Sequence, residues 1–142
     1  MKVTGLDNKV YHWSWVDCVP SEDDERPRSS FHLRARRLLH NTFPCDRILE
    51  EVFLPGSGGL YADFYVPAYS LLIEVHGQQH YEFTNFFHNH ITKFYSAKKR
   101  DKAKKQWAEK NNIEYIEFPE YEDDNEWYRR LTEERQGISG DS

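Results

Sequence analysis

The sequence predicts an α/β domain in which a central mixed sheet is flanked by helices, in the order α-β-β-β-α-β-α. Two short strands, Tyr61 to Val66 and Leu71 to Val75, are separated only by Pro67-Ala68-Tyr69-Ser70, a hairpin connection. A segment with helical spacing, Ser96 to Asn111, runs into an alternating strand, Ile113 to Phe118. Strands interleaved with helices are the pattern of a sheet covered on its faces. The 142 residues, 38% of them hydrophobic and 15% aromatic, are enough for one domain with a real core.

Residues 1–28 read as a loosely structured arm, holding the cluster Tyr11-His12-Trp13-Ser14-Trp15 and then an acidic, proline-punctuated run; the aromatics are expected to pack on the domain edge. Ser29 or Ser30 offers an N-cap for a helix over about Phe31 to His40, in which Phe31, Ala35, Leu38 and Leu39 keep helical spacing until Pro44 enforces a stop. Ile48 to Leu54 reads as a strand, closed by Pro55-Gly56-Ser57-Gly58-Gly59 as the turn into the hairpin. Asn111-Asn112 ends the long helix. A short helix over about Asn125 to Arg135 closes the domain, so that 29–135 is the folded unit and 136–142 a flexible tail.

A formal net charge of -5 does not favour a nucleic-acid partner, yet the charge is blocked rather than mixed. Lys98 to Lys105 carries six cations and one acid, and Arg26 to Arg37 holds five arginines. Such a polarised surface can still focus a polyanion on one side. Cys18 and Cys45 lack any paired spacing, which predicts neither a disulfide framework nor a thiolate metal site. Met1 to Val10 has no apolar stretch of the signal type and no run reaches a membrane span, so the residues predict a cytoplasmic protein without a membrane partner.

Pairing Val66 with Leu71 across the hairpin sets Asp63 opposite Glu74. Asp63, Tyr65, Leu72 and Glu74 then share one face, and Ala62, Phe64, Val66, Leu71, Ile73 and Val75 form an apolar core face on the other. Two carboxylates placed opposite each other repel, and the placement calls for a compensating cation or proton. Mg²⁺, with Mn²⁺ as its substitute, is the natural candidate, because it takes one or two carboxylates and completes its shell with water and phosphate oxygens. The Val75 carbonyl could add an oxygen. The plainer alternative is that both acids face solvent and pair with arginines of the first helix. The following residues, His76-Gly77-Gln78-Gln79-His80, crowd two imidazoles and two amides beside the carboxylates, with Gly77 permitting a sharp turn.

Leu60 to Pro67, then Leu72 to His80, then Lys99-Arg100-Asp101-Lys102 carry a DFYxP, ExxGxQH and RD pattern that resembles the PD-(D/E)XK nuclease superfamily. More narrowly, it resembles the very-short-patch-repair-like branch, which includes the EDxHD homing endonucleases of phages and the DUF559-type nucleases. The resemblance covers about residues 29–118 and implies a restriction-endonuclease-like core. It makes Asp63 the principal metal ligand and Glu74 the second acid. It makes His80 a general base or water-positioning group, Gln79 an orienter of water or phosphate, and Asp101 the late aspartate that orients His80 or binds metal through water. The plainer reading of Asp101 is an i,i+4 ion pair with Lys105. Two departures stand out: His76 occupies the position of the superfamily lysine, and His32 stands where the branch has a first-helix glutamate. Glu50 or Glu51 could replace that glutamate only if the fold brings them close.

On the Ser96 to Asn111 helix, Ala103 and Trp107 form a packing stripe while Lys98, Lys102 and Lys105 point outward to hold phosphates without reading sequence. Arg34 and Arg37 are further phosphate candidates, unless Arg36 and Arg37 neutralise Glu50 and Glu51. Phe83, Phe86, Phe87, Phe94 and Tyr95 read as core or lid packing, with base stacking as the alternative. His88 and His90, lacking a third ligand, read as surface or loop histidines. Taken with the resemblance, these residues predict a Mg²⁺-dependent endonuclease acting on double-stranded DNA as a monomer or homodimer. A phage-encoded or homing-type nicking enzyme working in the host cytoplasm fits that prediction. The alternatives are a nuclease fold that binds DNA or protein without cutting, and an RNA-directed nuclease.

Overall fold

The computed structural model describes residues 1–16, 18, 20–76 and 87–139, with the backbone alone at 87–95, 97 and 134–139. Gln79, His80, Phe83 and Phe86 lie outside the described residues, as do the side chains of Phe87, His88, His90, Phe94 and Tyr95.

The chain forms a small hairpin, β1 (Lys2–Thr4) with β2 (Val10–His12), followed by α1 (Ser30–Thr42), β3 (Leu49–Phe53), β4 (Tyr61–Val66), β5 (Leu71–His76), α2 (Phe87–Lys110), β6 (Glu114–Pro119) and α3 (Asp124–Ser139). The main sheet runs in the order β3-β4-β5-β6. Its first two pairings are antiparallel, and β5 and β6 are parallel, joined through α2 as a parallel pair requires. Among the described residues, no helix is long and apolar enough to cross a membrane.

Local chemistry sets the element ends. Ser29 caps α1 by accepting the His32 N–H at 3.1 Å, and α1 ends at Thr42, one residue short of the Phe43-Pro44 step. The β3–β4 turn passes through Gly56 at φ 74°, where a Cβ would fall 2.5 Å from the Gly5 Cα. Only glycine admits both that angle and that approach. α2 ends at Lys110, and Asn112 takes the left-handed φ of 55° that turns the chain into β6.

The sheet has a core on each side. α1 and α3 cover one face, where Ala35, Leu39, Phe64, Ile73, Phe118 and Trp127 pack together. The other face buries Val3, Trp13, Leu49, Tyr65, Leu72 and Trp107 beneath the N-terminal residues and α2. The mixed α/β architecture follows the sequence prediction, with four differences.

The first is the arm. Residues 1–15 are a built part of the second core, with Trp13 buried against Tyr65 (ring centroids 4.6 Å) and Trp107 (5.1 Å) and donating its indole N–H to the Phe53 carbonyl at 2.8 Å. The exposed side of a sheet between helices needs a cover, and these aromatics supply it. The second and third concern helix length: α2 begins at Phe87, so His88 and His90 are helical, and α3 continues to Ser139 through the segment expected to be a tail. The fourth is Ala62, which packs with the second core rather than with Phe64. Leu49 and Val52, like Ala62 and Tyr65, lie three residues apart yet on one side, so strict alternation lapses between them. The lapse falls at Glu51, whose φ is 52°, and at Asp63, which the register sets opposite it.

Trp13→Ala is expected to destabilise the protein by about 3 to 5 kcal/mol, because it removes a fully packed ring and leaves a cavity between sheet and helix. Urea unfolding measures this, and a loss of under about 1 kcal/mol would show the arm to be an accessory to the core.

Candidate active site

The observed register pairs Phe64 with Ile73, Tyr65 with Leu72 and Val66 with Leu71, which carries Asp63 to the position opposite Glu74. There the backbone ladder gives way to a side chain: the Val75 N–H donates to Asp63 Oδ2 at 2.9 Å. The Asp63 carboxyl lies close enough to Glu74 to act on its charge. Glu74 is 4% exposed. Burial, then the neighbouring Asp63 carboxylate, push its pKa well above the usual carboxylate range.

The parallel β5/β6 pairing extends the row by setting Glu74 opposite Glu117. With Glu51 across from Asp63, four acids cross the four strands in line. Glu51 leaves this group, since its carboxylate is taken by Arg26 and by Arg28 at 3.3 Å.

α2 closes over the remaining acids. Trp107 donates its indole N–H to the Pro55 carbonyl at 2.7 Å, and Trp107 and Ala108 are buried on the sheet. One and two turns earlier on that inner side come Lys104 and Asp101, the neighbours that helical geometry places there. The Lys104 Nζ lies 3.0 Å from Glu74 Oε1, close enough for charge attraction though off the oxygen's hydrogen-bonding directions. Asp101 Oδ2 lies 3.1 Å from His76 Nδ1, while the other ring nitrogen faces Glu117 Oε1 at 3.5 Å.

Burial alone would lower the His76 pKa, but its contacts with Asp101 and then Glu117 outweigh that and raise it to about 10. His76 is therefore an imidazolium at neutral pH. Its hydrogen bond holds the Glu117 carboxyl below the ordinary range. Tyr115 sits among the whole group: burial first, then Glu74, Glu117, Asp101 and Asp63, push its phenol upward. Among the described residues the site sets Asp63, Glu74, Asp101 and Glu117 against Lys104 and His76, with Lys105 also acting on Glu117.

The structure brings Asp63, Glu74, Val75, His76 and Asp101 together and adds Lys104, Glu117 and Tyr115, which sequence reading missed. Two signals pointed to them: Lys104 stands three residues before Trp107 on a helix, and Glu117 alternates with the core residues Ile116 and Phe118. Asp101 meets His76 rather than Lys105 because it lies on the inner stripe.

Other candidates are placed elsewhere. His32 is buried on the α1 side of the sheet, stacked on Phe64 at 4.5 Å, with its Nε2 2.5 Å from Glu50 Oε1. Glu50 also accepts hydrogen bonds from Ser21 and Arg36. Burial opposes its ionisation, but the contacts with His32, Arg36 and Ser21 bring its pKa down to about 2. Neither His32 nor Glu50 thus reaches Asp63, because the sheet lies between. Arg34 ties α1 to α3, pairing with Asp124, donating to the Glu122 carbonyl at 2.6 Å and lying 3.7 Å over the Trp127 ring. Its guanidinium is engaged by α3 in packing and pairing. Arg37 is exposed on α1, on the sheet side away from Asp63. Lys98, Lys102 and Lys105 are exposed on α2.

With this geometry in view, comparison with known proteins adds a viral relationship. The chain is similar to two iridescent-virus proteins. It is 36% identical over 64 residues to "Uncharacterized protein 307L" of Invertebrate iridescent virus 6, across 45% of this chain and 32% of that protein. It is 33% identical over 116 residues to "Uncharacterized protein 033L" of Invertebrate iridescent virus 3, across 78% of this chain and 59% of that protein. The chain therefore spans less than two thirds of either relative. No family profile and no solved structure matches it.

Glu74→Gln is expected to leave stability unchanged or raised, since the amide removes a buried acid from contact with Asp63 and can donate a hydrogen bond to it. Thermal unfolding in metal-free buffer tests this. A fall in stability of more than about 2 kcal/mol would mark Glu74 as a structural partner of Lys104.

Proposed function

We propose that this chain is a metal-dependent DNA endonuclease with a restriction-endonuclease-like core of the PD-(D/E)XK superfamily. The observation that carries the reading is the placement of Asp63 opposite buried Glu74 beside the Lys104 ammonium. Three meander strands followed by a helical crossover to a parallel fourth support the fold assignment.

The donors suit Mg²⁺. Among the described residues no group of three acids or imidazoles converges as a closed metal cage. Mg²⁺ needs no such cage, because it retains water and takes phosphate oxygens beside one or two carboxylates. Asp63 and Glu74 would hold the ion, with the Val75 carbonyl as a further oxygen, and Mn²⁺ would substitute. When bound, the ion supplies an activated water and neutralises charge developing on the phosphate.

The chain's own groups divide the remaining work. Lys104 holds a positive charge at the acid pair, where it can meet a phosphoryl oxygen in place of the superfamily lysine that the sequence replaces with His76. His76, kept protonated between Asp101 and Glu117, can give its proton to the departing sugar oxygen. Asp101 orients that ring. The family resemblance assigns Gln79 and His80 to positioning the water. Lys98, Lys102 and Lys105, facing outward on the same helix that carries Lys104, would hold the phosphates of double-stranded DNA and give salt-sensitive binding.

The test is nicking of supercoiled plasmid in Mg²⁺ or Mn²⁺. Wild type is expected to nick, Asp63→Ala and His80→Ala to abolish nicking, and Lys104→Ala to slow it about 10²- to 10³-fold. Cutting by Asp63→Ala at the wild-type rate would overturn the assignment. A wild-type protein that shifts DNA in a gel but leaves plasmid intact would establish the second reading, a nuclease fold that binds without cutting.

A further inference from the structure

Away from the acid pair, the edge of the sheet holds a second cavity. After covering the second core, the N-terminal segment crosses the free edge of β3 at both ends. Trp13 meets the Phe53 carbonyl at one end, and Pro20 bridges Leu49 at the other, with the Ser21 N–H donating to the Ile48 carbonyl at 2.8 Å. Between the crossings lies a half-open cavity of about 530 Å³, within the size range of small-ligand sites.

Its walls are unusual for a surface. Tyr11, Trp13, Phe53 and Tyr61 line it, and Phe53 and Tyr61 leave 43% and 50% of their surface in water. The Phe53 and Tyr61 rings stand 5.3 Å apart at 58°, an open V rather than a closed stack. The polar part of the lining includes Arg26 and Glu51, an ion pair whose side chains are both 43% exposed. That pair offers guanidinium donors and carboxylate acceptors side by side, beneath aromatic surface.

This combination matches a planar ring with a hydrogen-bonding edge. Arg26 is held by Asp24 and Glu51, and Glu51 also by Arg28, but these bonds do not use Arg26 Nη2 or Glu51 Oε1, which an apolar ligand could not engage. A bare phosphate would not use the exposed Phe53 and Tyr61 rings. A nucleobase uses both: its face stacks on the aromatic rings, its ring nitrogens and carbonyls accept from arginine, and its amino groups donate to a carboxylate. We infer that this cavity binds an unpaired nucleobase. Inside a duplex the base faces are covered by their neighbours, so the pocket selects single-stranded or extruded nucleotides. Glu51 also stands opposite Asp63 in the β3/β4 register, which puts the pocket one strand away from the candidate active site. Binding here does not depend on cleavage, and its test is run without metal.

Tryptophan fluorescence of the full chain, in EDTA, is titrated with each deoxynucleoside monophosphate and with deoxyribose 5-phosphate as the base-free control. The expected result is saturable quenching by at least one of the nucleotides and none by the sugar phosphate. The combined variant Phe53→Leu with Tyr61→Leu, which keeps bulk but removes the rings, is expected to weaken binding at least tenfold with an unchanged circular dichroism spectrum. Asp63→Ala is expected to bind as wild type. Equal binding of the sugar phosphate, no saturable response to any nucleotide, or undiminished binding by the folded double variant would each overturn the inference.

Discussion

The constraint on which the site depends is the pairing of Val66 with Leu71. Once those residues meet, the register between the two strands is set. Asp63 must face Glu74, and the apolar set Phe64, Val66, Leu71 and Ile73 must face α1 and α3. A slip of one residue in β5 would turn Glu74 into the apolar core. The energy of that core therefore enforces a contact between like charges that neither carboxyl would choose. The fold relieves it locally, with the Val75 N–H on Asp63, the Lys104 ammonium on Glu74, and a proton favoured on Glu74 by its burial.

The two faces of the sheet treat charge in opposite ways. On the α1 side, Asp24 and Glu50 are surrounded by Arg28, Arg36 and His32, and both acids are held ionised below their usual range. That network is satisfied and fixes residues 20–28 onto α1 and β3. On the α2 side, Glu74 is buried beside Asp63 and held above its usual range. The carboxylates of one face are thus neutralised by neighbouring cations, while on the other Glu74 is buried beside a second acid, which is the contrast the proposed metal site rests on.

Much of this was legible in the sequence where local rules act alone. The hairpin register followed from a four-residue connection, and the α1 cap from Ser29 three residues before the His32 amide. What was not legible depended on long-range packing. Trp13 could be recognised as apolar, but that it would close the α2 face is decided by the gap that Trp107 and Tyr65 leave. Lys104 was hidden within a run of lysines, and only docking of Trp107 distinguishes it from its outward-facing neighbours. His32 occupied the expected helix position, but α1 lies on the far side of the sheet from Asp63, so the position carries no site residue. Arg34 looked like its neighbouring arginines until Trp127 and Asp124 were brought beneath it.

The central claim is that Asp63 and Glu74 form a cation site. Calorimetric titration of Mn²⁺ into the metal-free protein, with Asp63→Asn beside wild type, addresses it without reference to any substrate. Saturable binding by wild type that Asp63→Asn loses is the predicted result. Equal binding by both proteins, or none by wild type, would contradict it.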